Sequence, residues 1–340
     1  MAGGVGEGAG PTVGSLGEFG LIRELASRMP AGSLTSVGIG DDSAVVTAPS
    51  GSVVAAVDMV LEGRHFLRSW SSGRDVGIKA AARSLADIAA MGAVPTALLA
   101  AVALPGSLPA SWALDLASGL AWEAERAGAG IIGGDTASAE LVLVSVTALG
   151  DLSGAAPVRR SGAAAGDVVA VCGTLGHSAA GHALLSAGAR EPTSLVAAHL
   201  RPAPPYDAGP EAARLGATAM IDVSDGLLAD LGHVAEASGA TIDVSSAGLV
   251  PPDDHPLWRA ARSARTDSPD SPSARLLHWV LTGGEDHALA ATFPPSAASQ
   301  LPPRWRVIGT VSAAGRAGPG ERVTVDGEPY AATAGWQHFR

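Results

Sequence analysis

The chain has 340 residues, of which 47% are hydrophobic and only 16% charged, with a formal net charge of -11. Such a chain can bury two cores of ordinary size and does not read as disordered, and its acidity argues against a nucleic-acid partner. One cysteine, Cys172, excludes a disulfide framework or a zinc cluster built on cysteine alone, and no window reaches the ~20 apolar residues of a membrane span.

Residues 1–15 are Gly-rich and lack the basic start and apolar run of a secretion signal. They read as a flexible tail on a cytoplasmic protein. Phe19, Leu21, Ile22 and Leu25 recur at helical spacing and predict a helix over 17–28. Residues 43–47 and 52–57 read as strands around the Pro49-Ser50-Gly51 turn. An Ala-rich helix is expected over 75–91, ending at Gly92, then a buried strand over 96–104 and a helix over 111–127. Ile131-Ile132 leads to Gly133-Gly134-Asp135, and 141–149 is a long apolar strand. A domain boundary falls near 153–166. Beyond it come a strand at 168–171, a helix near 178–187, a strand at 220–223, a helix over 227–237 and a strand at 241–244. Residues 251–273, rich in Pro, Ser, Asp and Arg, read as a surface excursion. Strands at 288–293 and 306–311 follow. Both halves run strands, a Gly-Asp corner and a helix, which predicts two α/β domains with a cleft between them.

In this weakly charged chain the acids cluster in small-residue segments. These are Gly38-Ile39-Gly40-Asp41-Asp42, Val57-Asp58, Leu85-Ala86-Asp87, Gly133-Gly134-Asp135 and Ile221-Asp222-Val223-Ser224-Asp225-Gly226. One Gly-Asp pair is usually a turn or a helix cap. Five, most of them following or ending an apolar run, point to carboxylates aimed into a cleft, where they suit a hard cation such as Mg²⁺, and Mg²⁺ usually arrives with phosphates. The Gly-x-x-x-x-Gly-Lys-Ser/Thr loop and the protein-kinase segments are absent. ATP chemistry here would therefore rest on several metal ions in place of a phosphate-cradling lysine.

Taken in order, these segments resemble thiamine-monophosphate kinases. So do Glu62-Gly63-Arg64-His65-Phe66, Asp87-Ile88-Ala89-Ala90-Met91-Gly92, Arg160-Ser161-Gly162, Arg201-Pro202, Gly283-Gly284-Glu285-Asp286 and Gly335-Trp336-Gln337-His338-Phe339. The Gly-Asp elements alone would also fit aminoimidazole-ribonucleotide synthetase and selenophosphate synthetase. The resemblance implies a two-domain α/β (α+β) aminoimidazole-ribonucleotide synthetase-like fold. A domain over 16–155 would bind ATP and metal and form a dimer sheet or barrel, and an α/β domain would cover 156–340. It implies direct transfer of the terminal phosphoryl of ATP to thiamine phosphate by a homodimer, with several Mg²⁺ ions. Asp42, Asp58, Asp87, Asp135, Asp222 and Asp225 match metal-binding positions. Gly134, Asp135, Arg160 and Ser224 match ATP contacts. His65, Glu285 and Trp336 match the thiamine-phosphate site.

The residue types agree with those roles. Arg160 can pair with phosphate oxygens through two donors, and Trp336 offers a flat face to a cationic ring. His65 can donate to a phosphate. Three departures stand out: Ala56-Val57 where Ser or Thr usually precedes Asp58, Ser84 and Ala86 near Asp87, and His287 where Tyr is common. Selenophosphate synthetase would need an early reactive cysteine, and none precedes Cys172. A nucleotide sensor without turnover is a rival of another class, disfavoured by the intact carboxylates.

Overall fold

Residues 11–30, 32–39, 44–264, 271–313 and 322–330 are described in the computed structural model. Two units divide the chain. The first comprises Met1–Thr47, Val57–Ala81 and Thr96–Thr147, and the second Ala48–Ala56, Ala82–Pro95 and Ala148–Arg340.

In the first unit, α1 (Val13–Ala26) is a short turn capped by the Thr12 side chain, which accepts from the Ser15 N–H, then a kink at Gly17 (φ 67°), beyond which the expected helix runs. A short antiparallel pair follows, β1 (Thr35–Val37) with β2 (Val45–Val46). Then come β3 (Val54–Leu61), α2 (Gly73–Ala90), β4 (Val94–Leu104), α3 (Ala110–Arg126), β5 (Gly130–Ser138) and β6 (Leu143–Asp151). The four-stranded sheet has the order β3-β6-β4-β5, with β4 and β5 parallel and Ala97 opposite Gly130. Helix α3 buries Ala113, Leu116, Ala117, Leu120 and Ala124. That row at i, i+3, i+4 and i+7 is the apolar stripe of a core-facing helix. The unit boundary falls inside α2.

The second unit is built on β7 (Val168–Cys172), α4 (His177–Ser186), α5 (Thr193–Leu200), α6 (Ala208–Arg214), β8 (Ala219–Asp222), α7 (Leu227–Ser238) and β9 (Ala240–Val244). It continues with α8 (Pro256–Ser263), α9 (Pro272–Thr282), β10 (Leu289–Phe293), α10 (Pro295–Ala298), β11 (Trp305–Ala313), β12 (Val323–Val325) and β13 (Glu328–Pro329). Its sheet order is β13-β12-β9-β11-β7-β10-β8. Strand β10 lies between β7 and β8, antiparallel to both, and all five of its residues are buried. Among the described residues no helix is long and apolar enough to cross a membrane.

Several expectations need correction. The excursion over 251–273 contains α8 and the start of α9. Each begins on a proline, where the missing N–H costs nothing, and each buries an apolar side (Leu257, Ala260 and Ala261; Leu276 and Val280). Helices α5 and α6 were not predicted. Strands β3 and β5 run past Asp58 and Asp135, so these two acids lie within strands rather than at strand ends.

Within the first unit α2 and α3 cross at small residues. A methyl at Gly77 would overlap the Leu116 carbonyl oxygen and come within 2.7 Å of the Leu120 nitrogen. Alanine normally favours a helix over glycine by about 1 kcal/mol, and Gly20 in α1 has room for it, with Leu16 Cβ at 3.6 Å. Gly77→Ala should therefore destabilise the protein by about 1–3 kcal/mol, since the overlap is with backbone that cannot turn aside. Gly20→Ala should be neutral or stabilising. Denaturant unfolding of both variants checks this, and a stabilising Gly77→Ala would refute the close crossing.

Candidate active site

In the second unit β8 ends at Asp222, and the chain turns through Val223-Ser224-Asp225-Gly226 into α7. This turn lies against the one before β10. Val223 N–H donates to Ala288 O (2.7 Å), His287 N–H to Val223 O (2.8 Å) and Glu285 N–H to Ser224 O (2.8 Å). The approach requires glycine on both sides. A Cβ at Gly284 would lie 2.7 Å from Ser224 O, and one at Gly226, where φ is 129°, would lie 2.6 Å from Thr282 O.

The acids of this paired turn are buried. Asp222 is 3% exposed, and its Oδ2 lies 3.0 Å from Nδ1 of His287, itself 1% exposed. Nε2 of His287 makes no hydrogen bond among the described residues, which fits an Nδ1–H that donates to Asp222 and a bare lone pair on Nε2. Asp230, one turn into α7, reaches back with Oδ2 to accept from the Asp225 and Gly226 N–H groups, each at 3.0 Å. Burial, then the nearby Asp222 and Asp225 carboxylates, push Asp230 up to about 8. Asp286 accepts from the Gly176 N–H (2.6 Å) and Ser178 N–H (2.9 Å) and so caps the start of α4. Burial pushes it up to about 7 against those stabilising N–H groups. Glu285 sits at φ 63°. Its Oε1 accepts from Arg83 Nη1 at 3.1 Å, and its Oε2 lies 3.9 Å from Nδ1 of His199. That same nitrogen is 3.1 Å from Ser178 Oγ.

Two further candidates belong to this unit. Asp87 is half-buried on α2. Arg160 is exposed, and its backbone carbonyl accepts from Ser238 Oγ at 3.1 Å.

In the first unit Asp58 is half-buried on β3, on the opposite face from Val57 and Met59. Past the end of β3, the Leu61 N–H donates to His65 Nδ1 at 3.0 Å, so a neutral His65 carries its proton on Nε2. Lys79 is 2% exposed, and its Nζ donates to the His65 carbonyl at 3.1 Å. Gly134 and Asp135 wall a cavity of about 110 Å³, otherwise largely apolar through Leu25, Met29, Val102, Leu116 and Leu120. The Oδ1 of Asp135 accepts from the Thr136 N–H at 2.8 Å.

Asp222, Ser224, Asp225 and Glu285 are thus brought together by backbone pairing. Asp42 and Trp336 lie outside the described residues. Among the described residues no three His, Cys, Asp or Glu side chains form a ready-made cation cage. Sequence reasoning missed Asp230, Arg83, His199 and the bond from His287 to Asp222. A lone acid in the apolar stretch Leu227-Leu228-Ala229-Asp230-Leu231 was the one available signal.

Likeness to known proteins defines the class. Residues 40–152 match the family AIR synthase related protein, N-terminal domain. The Mycobacterium tuberculosis thiamine-monophosphate kinase is 49% identical over 331 residues, 97% of this chain and 93% of the relative. That of Corynebacterium glutamicum is 38% identical over 338 residues, 97% and 96% of the two chains. A solved structure of AaThiL complexed with AMPPCP and TMP has a TM-score of 0.74 at 33% identity and covers 95% of this chain and 97% of its own. The chain belongs to the thiamine-monophosphate kinase family, and its fold is the α/β fold of that wider group.

Asp230 gives the local test. Asp230→Ala leaves two N–H groups without their acceptor and should cost about 1–3 kcal/mol. Asp230→Asn keeps an oxygen in place and removes charge where burial and two neighbouring acids penalise it, so it should be at least as stable as the parent without metal. Equal destabilisation of both variants in denaturant unfolding would show that the two bonds do not hold the turn.

Proposed function

We propose that this protein transfers the terminal phosphoryl group of ATP to thiamine phosphate, giving thiamine diphosphate. The observation that carries the reading is family likeness over nearly the whole chain, to relatives named for this activity and to a neighbour complexed with AMPPCP and TMP. The local chemistry supports it. The apolar cavity beside Gly134 and Asp135 is a candidate place for the nucleotide base. His65, whose Nδ1 accepts from the Leu61 N–H, is of a residue type that can donate to a substrate phosphate. The exposed Arg160 makes no carboxylate pair among the described residues and suits a nucleotide phosphate.

The donor set fits a hard cation. Burial first, and then the neighbouring Asp222 and Asp225 carboxylates, push Asp230 up to about 8, and a cation would relieve the repulsive part of that shift. Asp42, Asp58, Asp87, Asp135, Asp222 and Asp225 would hold Mg²⁺, which would neutralise the phosphate charge in transfer. The chain's one lysine, Lys79, is buried under the His65 turn, so its ammonium is committed to the protein itself. The remaining work is positioning: a phosphate oxygen is already ionised near neutral pH and needs no strong base.

The same family reading includes a homodimer joined through the first unit. Strand β3 is an edge strand whose outward side chains Val57 and Met59 are 65% and 49% exposed. An apolar edge of this kind is a pairing surface unless something covers it.

Two measurements test these readings. With Mg²⁺ and ATP, the protein should form thiamine diphosphate from thiamine phosphate and leave free thiamine untouched, and Asp58→Asn or Asp135→Asn should abolish turnover while preserving the thermal melt. Phosphorylation of free thiamine at a comparable rate would contradict the substrate assignment, and full activity in both variants would contradict the metal assignment. By light scattering, the parent should have the mass of two chains and Met59→Lys that of one. A Met59→Lys protein that stays dimeric would move the interface elsewhere.

A further inference from the structure

Helix α2 carries charge at every fourth position: Asp75, Lys79, Arg83 and Asp87. A spacing of four advances about 40° beyond a full helical turn, so the row stays on one slowly winding side. Such a row usually faces water. Here Asp75, Lys79 and Arg83 are only 9%, 2% and 9% exposed. A buried cation needs a specific partner. Lys79 has the His65 carbonyl, and Arg83 has the Glu285 carboxylate, with side-chain exposures of 11% and 21% for that pair.

The ion pair alone is a poor account of why Arg83 is there. Two largely desolvated charges repay little of their lost hydration, and an apolar residue would pack a helix side at least as well. What Arg83 does provide is direction. Glu285 leaves a turn in the left-handed region at φ 63°, with its N–H fixed to Ser224 O at 2.8 Å. From there its side chain bridges Arg83 Nη1 on α2 and approaches His199 on α5, whose ring is in turn held by Ser178 on α4. A carboxylate intended for a ligand must be kept from swinging, and a guanidinium at one of its oxygens restrains it.

We infer that Arg83 is a positioning residue for substrate recognition: its guanidinium orients the Glu285 carboxylate toward the cationic ring portion of thiamine phosphate. The inference rests on the proposed function and on Glu285 as a substrate contact. It requires that Arg83 act through Glu285 and not by touching the phosphate.

The test is steady-state kinetics of the full-length protein, varying thiamine phosphate and MgATP separately, for the parent, Arg83→Met, Arg83→Lys, Glu285→Gln and the double variant Arg83→Met/Glu285→Gln. Losing one charge-assisted contact that acts indirectly should raise KM for thiamine phosphate by ~3- to 10-fold in Arg83→Met, with kcat and KM for ATP changed by less than about twofold. Arg83→Lys should recover part of the loss. The double variant should be no worse than Glu285→Gln alone, because one effect passes through the other. If Arg83→Met does not fold, Arg83→Gln takes its place in the same comparison. Additive losses would overturn the inference in favour of a separate role for Arg83, as would an equal rise in both KM values with a lowered melting temperature, which marks a structural role. A raised KM in Glu285→Gln with none in Arg83→Met would overturn it while sparing the substrate assignment of Glu285. An unchanged KM in Glu285→Gln, or a parent inactive on thiamine phosphate, would overturn the underlying reading and the inference with it.

Discussion

Three backbone hydrogen bonds tie the turn after β8 to the turn before β10, from Val223 to Ala288, His287 to Val223 and Glu285 to Ser224. Backbone bonds of this kind do not depend on the side chains of the residues that make them. The requirement they impose is steric. Gly226 and Gly284 face backbone oxygens at distances that leave no room for a Cβ. Once that pairing is made, Asp222 is within reach of His287, Asp230 can cap the Asp225-Gly226 segment, and Glu285 is set beside Ser224. Remove it and each of these side chains loses the frame that aims it.

The same pairing concentrates negative charge in a buried place. Asp222, Asp230 and Asp286 are each less than a tenth exposed. Such acids are costly unless something answers their charge. The protein answers in three ways. Asp286 is turned onto the N–H groups at the start of α4, Asp222 accepts from His287, and Asp230 is left so poorly compensated that its proton is held to about 8. In the proposed reaction a bound cation would offset part of that cost. A fold optimised for stability alone would carry Asn or Leu at some of these positions.

The legible parts of the chain were those with local signatures. Strands β4, β6, β7 and β10 are apolar runs, and the Gly-Asp corners marked Asp222 and Asp225 directly. The pattern misled where one local rule masked another. An acid was read as the end of a strand at Asp58 and Asp135, although the alternation in β3 continues through Met59 and Val60 to Leu61. Prolines concealed helices: α8 and α9 begin on one, and α6 carries Pro210 in its first turn, where no N–H is needed. The supporting contacts were out of reach for another reason. Arg83 and Glu285 are 202 positions apart, His287 and Asp222 65 apart. Nothing local to either partner announces such a pair.

That distinction also separates two kinds of residue in the site. Most groups that would touch nucleotide, metal or phosphate sit in small-residue turns and strands, where backbone can approach a ligand, and so they carry motifs. Several groups that support them, Arg83, His199 and Asp230, sit in helices. Helix α2 shows both on one side: Asp87 belongs to a recognisable segment, while Lys79 and Arg83 look like ordinary helix charges until burial and partner are known. With Lys79 spent on the His65 carbonyl, the chain has no second lysine to offer a phosphate. Charge neutralisation in the proposed reaction then falls to arginine and to cations held by aspartate. The acidic turns, the scarcity of lysine and the buried row on α2 are all compatible with that proposed chemistry.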